Sequence, residues 1–244
     1  MFELSGIRVL VAGGSSGIGL ATSALLIRLG ASVVVTGRDH SRLQIVREQL
    51  GDGVSVIAFD ARESSERGQA MADIGEIDHL VVALSGGKGA GAFSTVAPED
   101  VRSGFEGKFW PHFGLAQESL PYLSEFGSIT FVSAISARSA NPGTAGLSAI
   151  NSAIEGLVRP LAVELRPRRV NAVSPGVVDT PWWDWLPEEQ KRKTFDKYAA
   201  AAPVGRIGSP EDIAQAVVFL IGNSFITGSV LECDGALHLV GQSL

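Results

Sequence analysis

Val9-Leu10-Val11-Ala12-Gly13-Gly14-Ser15-Ser16-Gly17-Ile18-Gly19-Leu20-Ala21 is the stretch that decides the fold of this chain. An apolar run of strand character ends in a glycine turn, and a helical pattern begins directly after it. Gly13 suits a sharp turn off the strand, while Gly17 and Gly19 let backbone approach a pyrophosphate and let the helix pack closely on a sheet. The helix start adds unpaired N–H groups and the positive end of its dipole, and Ser15, Ser16 and Ile18 complete the anion cradle. Glycines also mark ordinary turns, but a strand before and a helix after favour nucleotide binding.

Outward from this turn, short valine-rich runs alternate with longer segments of helical period. Strands are predicted at 7–12, 32–36, 55–59, 78–84, 128–134, 168–174 and 229–233, and helices at 17–29, 41–50, 64–74, 98–123, 146–165 and 210–221. Continuous apolar stretches such as Val33-Val34-Val35 fit a sheet covered on both faces. The alternation predicts one doubly wound α/β domain of Rossmann type over residues 1–244, a parallel seven-stranded sheet with helices on both faces. It stops over residues 179–203, where Pro181-Trp182-Trp183-Asp184-Trp185 leads into a polar stretch. An insertion there suits a substrate lid, with a helical hairpin packed around its own tryptophans as the alternative. Trp182, Trp183 and Trp185 equally suit an apolar or aromatic-lined pocket.

The 244 residues are 45% hydrophobic and 19% charged with 29 glycines, a composition that excludes a disordered chain, a collagen and a disulfide scaffold. Twenty Lys and Arg against 26 Asp and Glu leave a formal charge of -6, so no general basic field for nucleic acid exists. The single cysteine, Cys233, cannot form an internal disulfide and suits a reducing compartment. No apolar run approaches the ~20 residues of a membrane span, and Met1-Phe2-Glu3-Leu4 opens without a signal-peptide pattern. The expectation is a cytoplasmic protein that binds a small molecule, with no membrane, nucleic acid or metal.

The Gly-x-x-x-Gly-x-Gly spacing at 13, 17 and 19 resembles that of the short-chain dehydrogenase/reductase family, and the resemblance covers nearly the whole chain. Val170-Asn171-Ala172-Val173-Ser174-Pro175-Gly176 resembles the family's segment beneath the nicotinamide, which implies contacts from Pro175, Gly176, Val178 and Thr180. Pro203-Val204-Gly205-Arg206-Ile207-Gly208-Ser209-Pro210 resembles the start of its helix after the lid, and Thr227-Gly228-Ser229 with Asp234-Gly235 resembles its closing strand. The resemblance implies an NAD(P)-dependent oxidoreductase acting on a carbonyl or alcohol. It also implies a homotetramer or homodimer built through the helices at 98–123 and 146–165.

The second predicted strand ends Val35-Thr36-Gly37-Arg38-Asp39. An acidic residue at that tip would hold the hydroxyls of an NAD ribose; a guanidinium suits a 2′-phosphate instead. Arg38 therefore favours NADP(H) over NAD(H), with Ser15 as a second phosphate contact and a solvated charge as the alternative. Asp60-Ala61 resembles the family's adenine-contacting pair, unless Asp60 only caps the following turn.

The same resemblance implies a tyrosine that handles the proton at the substrate oxygen and a lysine four residues later. A serine thirteen residues before the tyrosine and an asparagine on an earlier helix complete the set. An ungapped alignment puts Leu147 at the tyrosine, Asn151 at the lysine and Ala134 at the serine, and counting back from Pro121 along the earlier helix puts Lys108 at the asparagine. The family's Asn-Asn-Ala-Gly is also altered here, to Val82-Ala83-Leu84-Ser85-Gly86-Gly87. Leucine and alanine carry no proton, so a non-standard catalytic set is expected from Lys108, Ser136 and Asn151. In it Lys108 reaches the space vacated by the lysine, Ser136 supplies a hydroxyl and Asn151 keeps a hydrogen bond to ribose or substrate. Ser133 should face the other side of its strand. His112, Ser148 and Tyr198 read first as structural, and Arg166-Pro167-Arg168-Arg169 as a solvated basic loop. Two classes of function follow: an oxidoreductase with an atypical active site, or an inactive dinucleotide-binding protein acting as sensor or oligomer partner.

Overall fold

The computed structural model describes residues 3–240. Its strands are β1 (Arg8–Ala12), β2 (Ser32–Gly37), β3 (Val54–Ala58), β4 (Ile77–Val82), β5 (Leu123–Val132), β6 (Arg169–Pro175) and β7 (Val230–Cys233). All pair in parallel, in the order β3-β2-β1-β4-β5-β6-β7. The order reverses between β1 and β4, where Leu10 stands opposite both Val34 and Leu80. The helices are α1 (Gly17–Arg28), α2 (His40–Leu50), α3 (Ser64–Ile74), α4 (Pro98–Gly104), α5 (Trp110–Ser119), α6 (Ala145–Glu164), α7 (Glu188–Ala201) and α8 (Pro210–Gly222). The expected doubly wound α/β architecture is what the chain adopts.

Side chains alternate faces along each strand, so each valine run feeds two cores at once. Leu10, Val34, Leu80, Ile129 and Phe131 pack against Met71 of α3, Leu115 of α5 and Ile154 of α6. Val9, Val11, Val33, Val35 and Val81 pack on the other face against Leu26 of α1 and Ile213 and Val217 of α8. Each such fully buried side chain contributes about 1.5–3 kcal/mol, which explains why uninterrupted apolar runs are needed here.

Most element ends differ from the predicted ones by one or two residues. The helix expected at 98–123 differs more. It is α4, a π turn over Phe105–Phe109, and α5, after which the chain enters β5 at Leu123. Pro111 has no N–H to donate to the Gly107 carbonyl, so the α ladder breaks at this point. The Trp110 N–H donates instead to the Phe105 carbonyl. The segment 179–203 holds a short 3₁₀ turn, Pro181–Trp183, followed by α7. Among the described residues, no helix is long and apolar enough to cross a membrane.

Candidate active site

The carboxyl ends of the strands around the β1/β4 reversal open into one cleft of about 950 Å³. At its near end lies the glycine turn. Gly13 has φ +81°, and a Cβ on it would stand 2.7 Å from the Ala83 carbonyl oxygen. A Cβ on Gly19 would stand 2.2 Å from the Gly13 carbonyl oxygen, so only glycine lets α1 start this close to the strand end. Ser16 occupies the N-cap of α1 without a side-chain cap bond, which leaves the first-turn N–H groups turned to the cleft. Gly13, Ser15, Ser16, Gly17, Ile18 and Gly19 all line it. A Cβ on Gly37 would lie 3.1 Å from Ser15 Oγ, which ties the turn to the tip of β2.

Beyond that tip Arg38 is exposed at the cleft mouth. Arg42 and Arg62, which the sequence reading did not single out, line the same end. Asp39 is turned away to cap α2, accepting from the Ser41 and Arg42 N–H groups. Asp60 and Ala61 line the cleft, and the Asp60 carboxylate accepts from both the backbone and the guanidinium of Arg62, which holds it below the usual carboxylate range. Asp60 thus caps its turn and anchors a cation at once. Across the cleft Pro175, Gly176, Val178 and Thr180 form a wall, with Thr180 packed against Gly17.

The three catalytic candidates meet. Lys108 Nζ donates to Asn151 Oδ1 at 2.7 Å and to the Ser133 carbonyl at 3.1 Å. Asn151 Nδ2 in turn donates to Ser136 Oγ at 3.0 Å and to the Leu147 carbonyl at 2.9 Å. The close approach of α4 to α6 makes this contact feasible: a Cβ on Gly104 would fall 2.5 Å from Ile150 and 2.7 Å from the Lys88 carbonyl oxygen. Lys108 stands in the π turn, a local widening often found where a helix serves a site. Burial pushes its ammonium down to about 8, against the pull of Glu155. Asn151, by donating to Ser136 Oγ, leaves the hydroxyl proton of Ser136 available to a further acceptor.

Ser133 gives its carbonyl to Lys108 and turns its hydroxyl to Glu155 Oε1 at 2.8 Å, away from the reaction end as the strand period predicts. Glu155 also pairs with Arg138, which reaches Glu232. His112 is buried behind Lys108, with Nδ1 2.7 Å from the Lys108 carbonyl oxygen. Burial and the Lys108 charge push it down to about 3, so the ring stays neutral at pH 7. Ser148 is outside the cleft wall, whereas Tyr198, Leu147 and Ala134 are part of it. The basic run is not a solvated loop throughout. Arg168 binds the Leu123 and Ser124 carbonyls, and buried Arg169 caps the end of α8 through the Leu220 and Ile221 carbonyls.

A family model described as Enoyl-(Acyl carrier protein) reductase matches residues 12–238. The 3-oxoacyl-(acyl-carrier-protein) reductase FabG of Rickettsia bellii is 31% identical over 246 residues, covering 98% of this chain and 100% of the relative. The chain belongs to the short-chain dehydrogenase/reductase family. A solved structure described as a small-chain dehydrogenase in complex with NADPH is 31% identical with a TM-score of 0.84, covering 96% of this chain and 99% of its own. A short-chain dehydrogenase/reductase of Brucella melitensis is 28% identical with a TM-score of 0.88, covering 97% and 98%.

In this member of the family, the segment 179–203 closes one side of the cleft. Trp182 Nε1 donates to the Gly86 carbonyl at 3.2 Å and Trp183 Nε1 to the Val178 carbonyl at 3.0 Å. Both rings line the cleft, and Trp183 packs edge-on to Phe195 of α7. Trp185 does not share that role: it is 68% exposed and lies outside the wall. The tryptophans therefore divide between pocket and surface.

Proposed function

We propose that the protein is an NADP(H)-dependent oxidoreductase that interconverts a small carbonyl compound and its alcohol. In this reading Lys108, Ser136 and Asn151 replace the family's tyrosine-centred set, since Leu147 and Ala134 stand where that set would be. The carrying observation is the hydrogen-bonded chain Lys108–Asn151–Ser136, in the same cleft as the glycine turn.

The residues present fit the dinucleotide. Gly13, Ser15, Ser16, Gly17, Ile18 and Gly19 would hold the pyrophosphate on the uncapped start of α1. Pro175, Gly176, Val178 and Thr180 would hold the nicotinamide end, and Asp60 with Ala61 the adenine. Gly37 at the tip of β2 provides no carboxylate for a 2′-hydroxyl, while Arg38, Arg42 and Arg62 gather positive charge there. A similar structure in complex with NADPH supports the choice of NADP(H). When bound, the cofactor supplies or accepts a hydride.

The chain's own residues handle the rest. Ser136 donates a hydrogen bond to the substrate oxygen, and the Lys108 ammonium gives that oxygen its proton, steadied by Asn151 and the Ser133 carbonyl. Residues 179–203 serve as a lid whose Trp182 and Trp183 favour an apolar or aromatic substrate. Exposed Trp110, Phe113 and Val163 on α5 and α6 support assembly as a homodimer or homotetramer through those helices.

The test is fluorescence titration with NADPH and NADH, followed by NADPH oxidation with ketones, aldehydes and quinones, before and after Lys108→Ala. Turnover that collapses in the variant is expected; equal rates overturn the role of Lys108. Binding without turnover on every substrate would favour the second reading, a non-catalytic dinucleotide-binding protein. The apolar Leu147 and Ala134 are the observation on its side.

A further inference from the structure

One wall of the cleft comes from the segment after β7, and it contains an aspartate–histidine pair that the catalytic reading does not use. The Asp234 side chain is 3% exposed. It accepts from the Ala236 N–H at 2.9 Å, the His238 N–H at 2.9 Å and His238 Nδ1 at 2.7 Å. Between the two residues Ala236 has φ +65°, the sole non-glycine residue with a left-handed φ among the described residues. Alanine adopts that conformation only at a cost, so the turn persists because Asp234 ties down both its backbone and the ring beyond it.

This arrangement aims the ring. With Nδ1 bound to the carboxylate, Nε2 is the one ring nitrogen left for a ligand, and among the described residues no hydrogen bond reaches it. In the neutral ring, Nδ1–H donates to Asp234 and Nε2 is an acceptor. The residue next to His238 in the chain is packed among apolar side chains. Leu237 packs with Val177 and Ala202, near Ile135, Trp183 and Tyr198. Asp234 itself lies against Gly176, where a Cβ would come within 2.7 Å of its Cα, so the pair stands beside the wall read as the nicotinamide end.

We propose that Nε2 of His238, aimed by Asp234, is the specificity contact of this cleft, accepting a hydrogen bond from a hydroxyl on an aromatic or apolar carbonyl compound. The inference rests on the carbonyl-reductase reading for its substrate class. A fixed acceptor beside apolar side chains rejects ligands that cannot pair with it, because they leave it desolvated and unmatched.

Calorimetric titration of the protein saturated with NADP⁺ tests this, using acetophenone and its 2′-, 3′- and 4′-hydroxy isomers. At least one isomer is expected to bind about tenfold tighter than acetophenone. In His238→Leu that advantage falls to within about twofold, while acetophenone itself binds as before. The backbone bonds of Ala236 and His238 to Asp234 remain in this variant. An advantage that survives in His238→Leu, or is missing for every isomer in the unaltered protein, overturns the proposal. A second readout needs no variant: with ¹⁵N-labelled histidine, the favoured isomer shifts the His238 Nε2 resonance and acetophenone does not, and an unmoved signal refutes the contact. Failure of all four compounds to oxidise NADPH would count against the oxidoreductase reading alone, because the binding comparison does not depend on turnover.

Discussion

Lys108 Nζ lies 2.7 Å from Asn151 Oδ1, so an ammonium from the π turn and a carboxamide from α6 converge on one point of the cleft wall. The pair is a charge and its positioner.

Exchanging the two residues tests that relationship. Lys108→Asn alone removes the ammonium, and Asn151→Lys alone sets two ammonium groups against each other. Each is expected to lower kcat/KM about 100-fold or more. The double variant restores one of each group and should recover at least about tenfold over the worse single. Steady-state kinetics with thermal melts of all four proteins decides; strictly additive losses would refute the pairing.

The pH dependence follows from Lys108, held at about 8 by burial. As the acid in carbonyl reduction it acts when protonated, so reduction slows as pH rises through about 8, and alcohol oxidation quickens over the same range. His112 behind it stays neutral, and Glu155 is paired with Arg138; Tyr198, His238, Arg138 and Lys88 also line the cleft, as do Asp60, Arg38, Arg42 and Arg62. Lys108→Met should flatten both limbs. Stability carries the same signature. The native lysine releases its proton near 8 and the unfolded one near 10.5, so between those values the unfolded chain holds more protons and stability rises with pH. Urea titrations at both ends of that window should show the rise in the parent and a smaller one in Lys108→Met.

Arg38→Ala is expected to weaken NADPH binding about 10- to 100-fold, the scale of a charge-assisted contact. NADH should change by less than about threefold, because it has no 2′-phosphate to lose. Dissociation constants at two ionic strengths check this, with the NADPH preference of the parent shrinking in high salt. An equal loss for both cofactors would remove Arg38 from the selectivity argument.

Trp182→Phe keeps an aromatic ring but deletes the 3.2 Å bond to the Gly86 carbonyl. One such bond contributes about 0.5–1.5 kcal/mol, so KM should rise about 2- to 10-fold with kcat little changed. Limited proteolysis should cut faster within residues 179–203. Unchanged cutting and KM would mean that this bond does not hold the segment closed.

Much of this was readable in the chain because local pattern and tertiary need agree. The runs Val9-Leu10-Val11 and Val33-Val34-Val35 could serve only a sheet covered on both sides, and the Gly13–Gly19 spacing fixed its first turn. The choice of Lys108, Ser136 and Asn151 came from the resemblance to the family's catalytic positions, not from local spacing. The π turn escaped because residues 98–119 keep a helical pattern throughout, and only Pro111 hinted at the break. Arg42, Arg62 and the Asp234–His238 pair were missed for a different reason: their roles arise from chain segments brought together by the sheet, and no local spacing marks them.

The bond from the Trp110 N–H to the Phe105 carbonyl gives the helix one residue more than an α turn accommodates. Each residue of an α-helix advances it by about 100°. A deletion inside 105–109 would therefore swing either α4 off α6 or α5 off α3, carrying Lys108 with it. Residues here can be replaced, but the number of them cannot change, so homologous chains that share this site should show no insertions or deletions along this stretch.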